Sequence, residues 1–234
     1  MPDSMPVAPP ALTPALSADP SDVAVIEQAD AAAADAAEPG PRKRPKPGER
    51  RVQILQTLAA MLEEPGVERI TTAALAARLA VSEAALYRHF ASKAQMFDGL
   101  IEFIEASVFT LVRQITEREP DGRVQAARTV ALLLQFGEKN PGMTRVMVGD
   151  ALVFEHERLS ARMNQFFDRI ESQLRLSLRL AADAAGSATP TVDASVLASV
   201  LVSFAQGRLQ RYTRSGFKRS PTEHLEAALH LLVP

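Results

Sequence analysis

The sequence predicts an all-α protein. Apolar residues recur with a period near 3.6 from residue 50 onward, and no segment sustains the alternation of a strand. The breaks between apolar stripes coincide with capping residues and Pro-Gly pairs. A chain of 234 residues can bury a real core, and its lack of Cys excludes a disulfide scaffold, a thiolate zinc site and a cysteine nucleophile. With no Trp, two Tyr and ten Phe, that core is expected to consist mainly of Leu, Val, Ile and Ala.

The elements follow in order. Val52, Ile54, Leu55, Leu58, Ala59 and Leu62 form the stripe of a first helix, which Pro65-Gly66 ends. Thr71 or Thr72 caps a short second helix carrying Leu75, Ala76 and Leu79, and Ser82 caps a third carrying Leu86 and Phe90. Ser92 and Gln95 form a capping box that opens a long helix over about residues 93–117. Breaks at Pro120-Asp121-Gly122 and Asn140-Pro141-Gly142 bracket a helix over 122–139. Further helices are expected over about 150–182, 192–214 and 221–232, with a loop of small residues over 183–191.

Residues 1–47 differ from the rest. They hold ten of the sixteen prolines and few large apolar residues, and read as a disordered tail ending in a basic arm. Seven acids and no Lys or Arg occupy residues 1–41, whereas Arg42, Lys43, Arg44, Lys46, Arg50 and Arg51 crowd the next ten. The formal net charge of −2 therefore hides a basic segment: residues 42–93 hold ten basic residues against five acids, and residues 94–234 hold sixteen of each. Such a segment is either a solvated charge run or a phosphate-contacting arm. No basic n-region precedes an apolar run at the start, and no apolar stretch approaches the roughly 18 residues of a membrane helix. A soluble, cytoplasmic protein is expected.

Enzyme signatures are missing from the sequence. His89, His156, His224 and His230 form no metal-binding spacing, and the eleven glycines form no phosphate-cradling loop. There is no nucleophile elbow and no marked carboxylate pair. The expectation is a non-enzyme with neither cofactor nor metal.

The informative motif is TTAALAARLAVSEAALYRHF, residues 71–90. Two short helices flank a tight turn, the arrangement of a helix-turn-helix whose second helix enters the major groove. Small Ala84 and Ala85 permit close approach to bases, and Ser82 and Glu83 begin the same helix. Tyr87, Arg88 and His89 offer donors to phosphates or bases, Thr71 and Thr72 open the preceding helix, and Lys93 opens the following one. Leu75, Leu79, Leu86 and Phe90 would be core residues in a plain helical hairpin as well.

Residues 70–97, especially LYRHF at 86–90 followed by Ser92 and Lys93, resemble the DNA-binding domain of the TetR family. The resemblance implies a three-helix helix-turn-helix domain over 48–92 and a helical dimerisation body over 93–234. Ala80 stands at a turn where the family usually has Gly. Alanine in the left-handed region costs roughly 1–2 kcal/mol, so a differently built turn is expected. Ala84 also replaces a frequent Gly. Both departures are similar to a nucleoid occlusion subgroup of the family. The likeness runs through residues 96–105, 132–146, 151–175 and 204–222, and covers about 50–222. It implies a homodimer that binds palindromic chromosomal DNA, localises to the nucleoid and, when DNA-bound, binds the C-terminal tail of the division protein FtsZ and disrupts its polymers. The implied groove lies between the first two long helices of the body and includes Phe103, Leu132, Gln135 and Lys139. Leu111 stands where the subgroup has arginine and Gln135 where it has glycine, so the charge pattern of this groove differs from its relatives.

The dimer interface is read from periodicity. Val196, Val200, Leu201 and Phe204, with Leu225 and Leu229, form adjacent apolar faces that a symmetry mate would complete as a four-helix bundle. They would equally pack within one chain. A ligand-responsive TetR repressor is the alternative function, with Leu133, Phe136, Phe166 and Phe167 either lining a pocket or filling the core.

Overall fold

The computed structural model describes residues 49–64, 66 and 69–233; the acidic tail and the arm residues Arg42, Lys43, Arg44 and Lys46 lie outside them. The described residues are all-α, as the periodicity predicts, with no strand among them. Helix α1 spans Glu49–Glu63, α2 Thr72–Arg78, α3 Glu83–Tyr87, α4 Lys93–Arg118 and α5 Gly122–Lys139. They are followed by α6 Pro141–Met147, a 3₁₀ turn Asp150–Leu152, α7 Glu157–Ala184, α8 Pro190–Arg214 and α9 Leu225–Leu232.

Side-chain caps set the starts of the early helices. Thr71 Oγ1 accepts from Ala74 N (3.1 Å), Ser82 Oγ from Ala85 N (3.3 Å) and Ser92 Oγ from Gln95 N (3.2 Å). Gln95 returns the favour to the chain before the helix, its Oε1 accepting from Ala91 N at 2.8 Å. Each bond satisfies a backbone donor that the helix itself leaves open.

One helix-turn-helix detail departs from expectation. The turn between α2 and α3 is not rebuilt to suit alanine: Ala80 adopts φ +53°, the left-handed conformation that glycine takes without strain. The turn keeps its hydrogen bonds from Ala80 N to Ala77 O and from Val81 N to Ala76 O, both near 3 Å, and these hold the residue there. Ala80→Gly is therefore expected to raise stability by about 0.5–1 kcal/mol, seen as a rise of roughly 1–4 °C in a circular dichroism melt.

The body is a helical bundle organised around α5, which is buried on nearly every side. Its core is aliphatic, with Leu100, Ile101, Ile104, Leu133, Leu134, Ile170 and Leu201 all buried. Arg158 pairs with Asp98 (2.5 Å) and Arg162 with Glu105 (2.6 Å), tying the first part of α7 to α4. Helix α8 is long and apolar enough to match a membrane span by composition alone. Ala198, Leu201, Ala205 and Leu209 place one face of that helix in the core of the bundle, while Val192, Val196 and Val200 are exposed.

Asn140-Pro141-Gly142 was expected as a break followed by one helix from about 150. Instead Pro141 begins α6, since proline at the first helical position loses no hydrogen bond. Gly149, at φ +86°, ends that segment, and α7 starts only at Glu157. Helix α9 likewise starts at Leu225 rather than near 221.

Helix α6 joins the helix-turn-helix unit to the body. Gly142 lies so close to α1 that a β-carbon there would stand 2.1 Å from the carbonyl oxygen of Ala59. Arg145 donates to Leu62 O (3.3 Å) at the end of α1. The end of α8 reaches the same region, where the Tyr212 hydroxyl donates to Glu138 O (3.1 Å). Burial pushes the Tyr212 phenol above its usual range, and the charges of Glu138 and of Glu63 at the end of α1 add to the shift.

Candidate nucleic-acid interface

Helices α2 and α3 place the candidate DNA-contacting side chains on one exposed surface. Leu75, Ala76, Leu86 and Phe90 are buried and anchor the two helices, so the intervening positions face outward. Ser82, Glu83, Ala84, Tyr87, Arg88 and His89 are exposed, and Ala85 and Thr72 are half-buried. Thr71 and Ser82 serve as helix caps in addition to lying on this surface. The Thr72 hydroxyl donates to Glu83 Oε2 at 2.5 Å, linking the start of α2 to the start of α3.

The far end of α3 is fixed by α1. The Arg51 guanidinium lies 4.1 Å over the Phe90 ring and donates to His89 O at 2.6 Å. Arg51 thus has a positioning role that its place in a run of basic residues does not reveal. The arm residues Arg42, Lys43, Arg44 and Lys46 lie outside the described residues.

Lys93 departs from its expected role as an open phosphate contact. Its ammonium is paired with Glu155, and the two side chains are only 19% and 9% exposed. It also lies 5.6 Å from the centre of the Phe97 ring. Lys93 therefore ties the start of α4 to the loop before α7. Lys93→Ala would leave a mostly buried carboxylate unpaired, at an expected cost of about 2–3 kcal/mol. Chemical denaturation checks this, and Lys93→Ala combined with Glu155→Gln should recover most of the loss.

The body residues divide similarly. Phe103 on α4 is 39% exposed and Lys139 at the end of α5 is exposed, as a peptide groove requires. Leu132 is a correction: at 4% exposed it is core and cannot flank a peptide directly. Gln135 opens, with Ala131, onto the cleft between α5 and α9, alongside Leu225 and Leu229. Leu111 is buried, so the position that carries arginine in the resembling subgroup presents no side chain to solvent here.

The apolar faces expected to pair two chains also need correction. Leu201 is fully buried, and Leu225 and Leu229 are buried as well, all three in the chain's own core. Phe204 is half-buried beneath the Arg208 guanidinium, 4.7 Å from its ring centre. Val196 and Val200 do remain outward, 61% and 44% exposed. Val192 on α8 and Leu176 and Leu180 on α7 are exposed as well. The exposed apolar positions of these helices are therefore on α7 and α8, whereas Leu225 and Leu229 of α9 point inward.

Of the alternative pocket residues, Phe167 also borders a cavity with Met163, Asn164 and Gln206, while all four are buried in the core. Phe166 meets Phe109 and Phe167 edge to face, with centroids 5.5 and 5.2 Å apart, and Leu133 and Phe136 are buried beside them in the same core.

Two family descriptions match the chain. Residues 54–100 match the bacterial regulatory proteins of the tetR family, and residues 121–234 match the SlmA-like tetracyclin repressor-like C-terminal domain. Among curated proteins, the nucleoid occlusion factor SlmA of Idiomarina loihiensis is 52% identical over 178 residues, covering 76% of this chain and 90% of that one. The protein of the same name from Photobacterium profundum is 52% identical over 184 residues, 78% of this chain and 93% of its own. That of Escherichia coli is 50% identical over the same length, 78% and 92% respectively. Solved structures share the fold at much lower identity. The fatty acid degradation regulator FadR from Bacillus halodurans has a TM-score of 0.67 at 14% identity, covering 82% of this chain and 97% of that one. PfmR, a TetR family transcriptional regulator from Thermus thermophilus, has 0.62 at 21%, covering 77% and 97%. Identity near one half across both the helix-turn-helix and the body, on a TetR-like fold, places the chain in the TetR family among the nucleoid occlusion factors of the SlmA type, DNA-binding regulators and not enzymes.

Proposed function

We propose that two copies pair through the exposed apolar positions of α7 and α8, bind palindromic chromosomal DNA with their α3 helices, and in that state bind the C-terminal tail of FtsZ and disrupt its polymers over the nucleoid, in the cytoplasm. Residues 48–92 act as the DNA-binding unit, residues 93–234 as the dimerisation and partner-binding body, and the arm within 42–47 as an added phosphate contact. The observation that carries the reading is the extent of the likeness: identity near 50% over 178–184 residues, about three quarters of the chain, together with a match of residues 121–234 to the SlmA-like C-terminal domain.

Thr71, Thr72, Ser82, Glu83, Ala84, Ala85, Tyr87, Arg88 and His89 are the DNA-facing set. Tyr87 and Arg88 are suited to phosphates, and Ala84 to close contact with a base edge. For FtsZ, exposed Phe103 offers an apolar contact and Lys139 a charge for an acidic group, with Leu132 supporting the groove from beneath. Fluorescence anisotropy with a labelled FtsZ C-terminal peptide tests this. Phe103→Ala or Lys139→Glu should weaken peptide binding about tenfold while DNA affinity holds. Unchanged peptide affinity in both variants would place the groove elsewhere.

A further inference from the structure

Glu83 presents a negative charge on a surface that is to meet a polyanion. A carboxylate facing phosphates lowers affinity for every sequence, so its place on α3 calls for a specific partner. The structure holds it firmly. Thr72, from a different helix, donates to Oε2 at 2.5 Å, and the side chain is otherwise exposed. That bond leaves the other carboxylate oxygen of exposed Glu83 as an acceptor, and the residues that follow it on α3, exposed Ala84 and half-buried Ala85, are small enough to let the helix approach closely.

An ionised carboxylate only accepts hydrogen bonds. In the major groove, guanine and thymine offer it acceptor atoms, which repel it. Adenine offers the N6 donor, but beside the N7 acceptor. Cytosine offers the N4 donor with no acceptor of its own beside it. We infer that Glu83 reads a cytosine in each half-site, and that Thr72 is the positioning residue that aims it. The inference rests on α3 being the recognition helix.

The test is selection of bound duplexes from a randomised pool, followed by anisotropy titrations on the selected site and on its single-base variants. With the full-length protein, one symmetry-related pair of positions should require cytosine. Glu83→Ala and Glu83→Gln should each lower the preference for cytosine there by roughly tenfold and leave other positions unchanged. Both should bind unrelated DNA about twofold more tightly, because a charge that repels phosphate is gone. A role confined to bracing the turn would lower specific and unrelated binding together. Thr72→Val should lose part of the preference and Thr72→Ser should keep it. Melting curves on each variant confirm folding, and isosteric Glu83→Gln serves if Glu83→Ala is poorly folded. An unchanged base profile in folded Glu83→Gln overturns the inference while leaving the DNA-binding reading intact. If the unsubstituted protein enriches no sequence at all, that reading falls and takes the inference with it.

Discussion

Gly142→Ala is expected to destabilise the protein by about 3 kcal/mol or more, among the largest effects of any single methyl group in this chain. The added β-carbon would meet the Ala59 carbonyl oxygen at 2.1 Å and its carbon at 3.0 Å. Both are backbone atoms of a helix, so no side-chain rotation relieves the clash, and α6 must move away from α1. Separation there would also strain the bond from Arg145 to Leu62 O, a further link between α6 and the end of α1. Gly122→Ala is a matched comparison, because its β-carbon would lie 2.0 Å from Ser177 O, between α5 and α7. The two variants should lose similar global stability in urea. Hydrogen exchange should distinguish them: Gly142→Ala loosens α1–α3 preferentially, and Gly122→Ala the α5–α7 contact.

Val196→Glu should convert the dimer to monomers. Val196 is 61% exposed, Val192 and Val200 on the same helix are exposed too, and a two-fold interface repeats each substitution on the opposite chain. Two unpaired carboxylates buried in an apolar seam should weaken dimerisation by about 100-fold or more. The isolated fold should survive, since the residue makes no part of the core. Affinity for a palindromic site should then fall about 100-fold or more, because linkage of the two half-sites is lost. Sedimentation velocity and anisotropy read the two effects. Leu201→Glu gives the contrast, since that residue is buried within one chain and its substitution should unfold the protein rather than separate it.

That contrast shows where sequence reading stops. Leu201 and Val200 are neighbours with equal apolar character, and periodicity marks both as faces of a buried helix. Whether the burying surface is α5 and α7 of the same chain or a second copy depends on three-dimensional packing, and no local pattern carries it. The same holds for Leu132, which looks identical in sequence whether it lines a groove or fills the core. Capping chemistry was legible because it is local: Thr71, Ser82 and Ser92 each find their partner three residues ahead. The Lys93–Glu155 pair spans 62 residues and had no local sign. Helix α6 was hidden by its own first residues, since Pro and Gly signal an interruption whether they end one helix or begin another. Ala80 went the other way. Alanine takes the left-handed conformation at this turn, which keeps its two backbone hydrogen bonds.

The most direct test of the proposed function is sedimentation of FtsZ polymers. FtsZ is polymerised with GTP and centrifuged in the presence of this protein alone, with a duplex carrying its selected site, and with a scrambled duplex. Pelleted FtsZ should fall substantially only when protein and specific duplex are present together. An unchanged pellet, at concentrations where anisotropy shows the duplex saturated with protein, would contradict the proposed function.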